Sequence, residues 1–307
     1  MVSISFHSDY LAFISISVNN GKKIVERVGI LHYSVIFNNK LINDGKIGSF
    51  FNVVLNKLKE HLDNSDKEFY ISIPTSMVLL NINKVKFDMT PEKIIELNNL
   101  TTRIKYGNKV SGSFNKITYN FYENNTIDSF LNVYFFKNYI NEIQKAFKNN
   151  DLNLNGIYVN ILSALNTVSQ LENNEKKKYS LFCLNDNNEI EYLHVKNDRI
   201  TTYLRYRKNN NKIVFYAKVG EYSEEIVALL KNDFNDSFYE LTGNIYLVGT
   251  KNNQEEIKYY VNKNSFINVV KPFDRKKIKD KKLSVIEKLP LYFYNNNIFA
   301  EATGILF

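Results

Sequence analysis

Side chains able to do metal, acid-base or nucleophilic chemistry are few and scattered along this chain. Four histidines, His7, His32, His61 and His194, share no ligand spacing with one another or with the single cysteine, Cys183, so no metal site is expected. No GxSxG elbow, HExxH helix or GxxxxGK[ST] loop occurs. Residues 107–113 keep two glycines with four residues between them but set Ser113 where a phosphate-binding lysine belongs, which reads as a plain loop. Carboxylates are numerous, and their spacing singles out no acid-base pair. Cys183 lies in the apolar run 179–184 and reads as a small buried hydrophobe; with no partner for a disulfide, the chain needs no oxidising compartment. No catalytic residue is assigned on this basis.

A scaffold for such groups is nevertheless present. At 307 residues and 44% hydrophobic content the chain can bury a large core, and its length predicts two domains or lobes. Only 11 Gly and 4 Pro argue against long flexible linkers between them. No apolar run reaches the roughly 18 residues that span a bilayer, and residues 2–16 alternate like a strand rather than a signal peptide, so a cytoplasmic location is expected. The net charge of +8 comes mostly from lysine, arginine being confined to Arg27, Arg103, Arg199, Arg205, Arg207 and Arg275. With no nucleic-acid-binding motif beside it, this charge predicts no specific nucleic-acid partner, and the dense cluster at 275–282 reads as a solvated face, with contact to anionic lipid or nucleic acid as the alternative.

The elements come in a repeated order. Residues 2–16 and 23–33 read as strands around a turn at Asn19, Asn20 and Gly21, with a short third strand at 34–37. Phe50, Phe51, Val54, Leu55, Leu58 and Leu62 recur at helical spacing, and 68–74 follows as a strand. The second half reads the same way: strands at 179–184, 189–195, 200–206 and 213–219, a helix over 223–233 and a strand at 244–248. A helix at 255–261 and a strand at 266–270 continue the alternation. Two βββαβ halves predict two related lobes facing a cleft. Between them lies a different unit: a strand at 83–87, a helix capped by Thr90 with Pro91 at its first position, and strands at 116–122 and 129–135. A helix over 137–149 then leads into a strand at 156–159, which reads as a return to the first sheet.

In this order of elements the chain resembles the PilM family of type IV pilus assembly proteins, bacterial relatives of actin and FtsA with a strand-helix-strand-strand module inserted in the first lobe. The segments that carry the resemblance are "YISIPTSMVLLNINKVKFDMTPEKIIEL", "INVVKPFDR" and the closing "IFAEATGILF". It implies an α/β, two-lobed actin-like (ribonuclease H-like) fold: a first lobe at 1–165 with the inserted subdomain at about 82–152, a reduced second lobe at 166–285, and a segment at 286–307 returning to the first lobe.

The resemblance also locates a nucleotide cleft and shows where the chain departs from it. The first phosphate loop falls at "SISFHSDYLAF", with Ser5 near the acidic position and His7 near the glycine; Asp9 is the carboxylate within reach. The second falls at "LFCLNDNNEIEYLHV", with Cys183 near the acidic position and Asn185 near the glycine. The adenosine segment, "IYLVGT", keeps Gly249 alone of a glycine pair, and only about 40 residues separate the Arg205 and Ile245 strands, too few for the usual adenine-pocket wall. The leading expectation is a non-catalytic pseudo-ATPase scaffold without a cofactor. It would bind a peptide or cytoplasmic tail of a membrane assembly protein in a groove between lobe one and the module, peripheral to the inner face of the membrane. Val85, Phe87, Ile94, Ile95, Leu131 and Val133 are the groove candidates, and ordinary core is the competing reading for each. Two alternatives stand beside it: an ATPase keeping a weak Mg-ATP site around Ser8, Asp9, Asp186 and Gly249, or a fold relative with another role. Any self-association is expected as a two-fold homodimer.

Overall fold

The structure, a computed structural model, describes residues 1–19, 22–38, 40–41, 44–63, 68–85, 89–90, 92–93, 96–97, 99–100, 104, 113–123, 126–171, 178–185, 189–209, 212–230, 236–249, 259, 262, 265–270, 283–285 and 299–306. The first sheet is built from β1 (Val2–Phe6), β2 (Tyr10–Asn19), β3 (Lys22–His32), β4 (Glu68–Ile73), β8 (Asn153–Val159) and β15 (Leu283–Val285), in the order β15-β3-β2-β1-β4-β8. The second contains β9 (Lys178–Leu184), β10 (Glu189–Lys196), β11 (Arg199–Asn209), β12 (Lys212–Gly220), β13 (Asn244–Gly249) and β14 (Ile267–Val269), in the order β12-β11-β10-β9-β13-β14. The duplication goes down to strand direction. In each sheet the first strand runs antiparallel to the second and parallel to the strand that follows the helix, and a further parallel strand lies beyond.

Each helix sits where its apolar spacing sends it. Helix α1 (Ile47–Lys59) buries Phe50, Phe51, Val54, Leu55 and Leu58 against one face of sheet one, together with α2 (Lys137–Asn149) through Ile143, Ala146 and Phe147. The opposite face takes α3 (Asn160–Leu171) and the short α6 (Ala300–Gly304). Helices α4 (Ser223–Leu230) and α5 (Asp236–Thr242) cover the outer face of sheet two, where Ile226, Leu230 and Phe238 meet Phe182, Tyr192 and Leu204. The inserted module is the sheet β5-β7-β6, from β5 (Val78–Lys84), β6 (Phe114–Glu123) and β7 (Thr126–Phe136).

Three expectations change. The strand expected at 2–16 is two strands, β1 and β2, turning at His7, Ser8 and Asp9 without glycine or proline; the His7 amide closes the turn on the Tyr10 carbonyl at 2.8 Å. The expected third strand at 34–37 is not a strand, because β3 already fills that place in the sheet and the Ser8 carbonyl takes the Phe37 amide instead. The module's first strand begins at Val78, straight after Pro74 and a 3-10 turn at Thr75–Met77, so it reaches Lys84 where 83–87 was expected. The helix expected at 255–261 and the basic cluster at 275–282 lie, for the most part and wholly respectively, outside the described residues.

Candidate functional site: a packed seam and an open groove

Burial patterns separate two places where the parts of the chain meet. The first is the seam between the lobes, where the resemblance leads us to expect a nucleotide cleft. One apolar core crosses it without interruption, joining Ile4 and Ile71 of sheet one with Leu181, Leu193 and Tyr203 of sheet two and Leu131 and Val133 of the module. Set into that core is a group of polar side chains. Glu191 on β10 accepts from Asn185 Nδ2 at 2.7 Å and from Tyr203 Oη at 3.2 Å. Burial pushes its carboxyl up; the Thr75 hydroxyl of lobe one and the Arg205 charge pull the other way. Glu301 on α6 is buried too, and desolvation, opposed by a backbone hydrogen bond and reinforced by Glu191, lifts its carboxyl to about 8. Cys183 is held as a thiol well above the usual range, by burial first and then by Glu301 and Glu191.

Ser5, His7 and Glu301 look at first like a nucleophile, base and orienting acid. Ser5 Oγ lies 3.3 Å from His7 Nε2, and Glu301 Oε2 lies 3.6 Å from that same nitrogen. A relay needs the nucleophile and the acid on opposite ring nitrogens, so this trio cannot pass a proton from serine to carboxylate. All three residues are at most 5% exposed, and the His7 ring stacks on Tyr10 with centroids 4.4 Å apart. His194 is likewise structural. It faces Tyr222 on the helix side of sheet two, Thr201 Oγ1 holds its Nδ1 at 2.8 Å, and burial beside Lys178 and Lys196 lowers it to about 4, keeping it neutral.

Three of the four nucleotide candidates are among the described residues and fall around this seam. Ser8 and Asp9 form the β1–β2 turn, where the Ser8 hydroxyl reaches Asp9 Oδ1 at 3.4 Å and the Asp9 carbonyl is taken by the Tyr33 amide. Gly249 ends β13, buried beside Leu184, and Asp186 lies outside the described residues. Among the described residues no group of three His, Cys, Asp or Glu side chains could hold a metal ion. Sequence reasoning passed over Glu191 and Glu301: they lie 110 residues apart, and nothing local marks either one.

The second place is a groove between the module and lobe one. About 560 Å³ of space is lined by Tyr119, Phe121, Leu131 and Phe135 of the module, by Ile157, Tyr158 and Leu162 of lobe one, and by Tyr179, Val195, Asp198 and Ile200 of lobe two. A second hollow of about 260 Å³ shares Phe135 and Ile157 and continues along Asn115, Ile117 and Gly156. Strands β6 and β8 border this path, and each is the outermost strand of its sheet, with its outer backbone edge unpaired among the described residues. At the groove floor Gly304 crosses α3 so closely that a methyl there would run into the Ser163 carbonyl, and Asn166 Nδ2 donates to the Gly304 carbonyl at 2.7 Å. The Ser163 hydroxyl, buried in the groove wall, has no hydrogen-bond partner among the described residues.

The peptide candidates divide across the module sheet. Leu131 lines the groove; Val133 shares its face and is packed into the central core. Val85 packs with Phe130, Met89 and Ile127 on the opposite face. Phe87, Ile94 and Ile95 lie outside the described residues. Ile117, Tyr119 and Tyr158 were not among the candidates, although alternation along 115–121 could have marked the first two.

No family model matches this chain, and no curated protein matches it. Among solved structures it is similar to a chain of the PilM-PilN type IV pilus biogenesis complex, at a TM-score of 0.66 and 9% identity over 99% of this chain and 96% of that one. Looser likenesses are the cytoplasmic domain of EpsL, an inner-membrane component of the type II secretion system of Vibrio cholerae (TM-score 0.44, 6% identity, 81% and 82% covered), and the Aquifex aeolicus PPX-GPPA enzyme (0.36, 9%, 99% and 89%). With its duplicated sheets, crossing helices and inserted module, the chain has the two-lobed actin-like fold of the matched chain in the PilM-PilN complex.

Proposed function

We propose that this chain is a non-catalytic scaffold that holds an extended peptide from a membrane-associated assembly in the groove between its module and lobe one. The observation that carries this reading is the groove itself: an apolar trough running between two unpaired strand edges, β6 and β8. Unpaired edges offer main-chain hydrogen bonds to an added strand, while alternate side chains of that strand drop into the apolar hollows. The assembly named for the matched structure, PilM with PilN in type IV pilus biogenesis, makes the tail of a membrane assembly protein the partner class to test, with the scaffold cytoplasmic and peripheral to the membrane. No helix among the described residues is long and apolar enough to cross a membrane. The pseudo-ATPase part of the proposal is supported by the apolar core that fills the seam and by the two carboxylates inside it.

Peptides of about ten residues selected on this chain from a display library should carry apolar side chains at alternate positions. Their affinity should fall at least about tenfold in Tyr158→Asp or Ile117→Asp, two exposed positions where the fold tolerates a charge. Peptides that bind both variants as tightly as the parent chain would remove the groove from consideration. Melting with millimolar Mg-ATP tests the second part: no shift is expected, and a rise of more than about 2 °C would restore a nucleotide site.

A further inference from the structure

A basic sheet edge lies on lobe two, on the hairpin of β11 and β12. Residues 204–220 contain Arg205, Arg207, Lys208, Lys212 and Lys218 and no acidic residue. Strand β12 is the outermost strand of its sheet, and no strand pairs with its outer edge among the described residues. A bulge between Arg205 and Tyr206 makes Tyr216 the extra residue in β12 and leaves it on the same side as the two arginines. Arg205 and Arg207 both lie over the Tyr216 ring, at 5.3 Å and 5.9 Å from its centroid. Val214, paired with Arg207, is 49% exposed and Tyr216 is 47% exposed.

The charges around this face do not cancel. Glu189 pairs with Arg205, Glu224 with Lys218, and Glu221 with Lys84. Glu189 also lies directly opposite Arg207 in the β10–β11 register, yet among the described residues it is Arg205 that it pairs with, and the buried Arg207 Nε has no hydrogen-bond partner there. Its guanidinium lies over the Tyr216 ring, a planar cation of the kind a carboxylate recognises. An unpaired edge, two exposed apolar side chains and five cations without an acidic residue on the hairpin itself are the complement of an extended strand carrying Asp or Glu.

We propose that β12 and the Arg205–Tyr216–Arg207 stack bind an acidic, extended segment of a partner protein by strand addition. A second copy of this chain fits worse. Antiparallel pairing of two β12 strands about Phe215 would set Lys212 of each chain against Lys218 of the other and bring together two chains of net charge +8. A nucleic acid would gain from the charge but leave the strand edge unused, and Tyr216 is a single ring already covered by arginines.

The test uses the whole chain and a fluorescent synthetic peptide of about ten residues in which Glu alternates with Val, with two controls: Lys in place of Glu, and N-methylation at alternate residues. The acidic peptide should bind and the lysine peptide should not. Arg207→Glu and, independently, Lys212→Glu should weaken binding about tenfold or more, with unchanged melting temperatures. Equal binding of the acidic and lysine peptides, or of the N-methylated peptide, overturns the proposal. So does tighter binding of single-stranded oligo(dT) that Arg207→Glu also abolishes, or a dimer in sedimentation that Arg207→Glu dissociates.

Discussion

Where lobe two meets lobe one, Cys183, Glu191, Tyr203 and Glu301 are between 2% and 4% exposed; where the module meets lobe one, Ile117, Tyr119 and Tyr158 are 42%, 43% and 39% exposed. The first junction is sealed by apolar side chains and encloses ionisable groups. The second is open, lined by apolar side chains, and bordered by backbone that has not found a partner. The difference is one of packing and edge exposure, and can be tested at each junction separately.

The largest effect is expected at the sealed junction. Tyr203→Ala removes a buried ring and the hydroxyl bound to Glu191, and should cost about 3–5 kcal/mol in urea unfolding. Because one core spans both lobes, loss should remain a single transition; two transitions would mean that the lobes fold independently and that the seam is a hinge. Next comes Glu301→Gln. A carboxyl at about 8 in the folded chain and near 4.5 when unfolded binds more protons folded than unfolded, so its contribution is fully favourable below about pH 4.5 and declines as pH rises, levelling off above about 8. The glutamine variant should therefore be more stable than the parent by roughly 3 kcal/mol at pH 7 and no different near pH 4.5. A variant equally stable at both pH values would show that Glu301 is reached by water and the seam is open.

Smaller effects belong to the groove. Ser163→Ala removes a buried hydroxyl without a partner among the described residues and should leave stability unchanged or raise it by up to about 1 kcal/mol. A loss above that would place an unseen acceptor in the groove wall. Tyr158→Asp should change stability by less than about 0.5 kcal/mol while removing peptide binding. A large loss of stability there would show that the groove is core rather than a binding surface.

The duplication was readable in the sequence because it rests on local signals: alternation in the strands, the 3.6-residue spacing of Phe50, Phe51, Val54, Leu55 and Leu58, and turn residues such as Asn197 and Asp198, both of which adopt positive φ. The β1–β2 turn was missed because Phe6 to Tyr10 contains none of the usual turn formers except Ser8 and Asp9, and the strand alternation runs through them. The seam and the groove were harder for a different reason. Whether Glu191 is buried depends on Thr75 and Glu301, and whether β6 is an edge depends on which strand stays away; both are properties of the assembled sheets. The resemblance to PilM pointed to a groove between the module and lobe one; of its three candidates among the described residues, Leu131 is a lining residue, while Val133 is packed into the central core and Val85 lies on the module's other face with Phe130.

The crossing of α6 over α3 also sets an order of events during synthesis. The Ser3 hydroxyl donates to the Ala302 carbonyl, 299 residues away in the chain, and Tyr10, Ile14 and Ile16 are covered by Phe299, Ala302 and Leu306. At about 5–20 residues per second, a ribosome takes roughly 15–60 s to make the intervening chain. Through that interval β1 and β2 stand with one apolar face uncovered, and a chain interrupted before residue 299 would keep it uncovered, a ready target for chaperones and proteases.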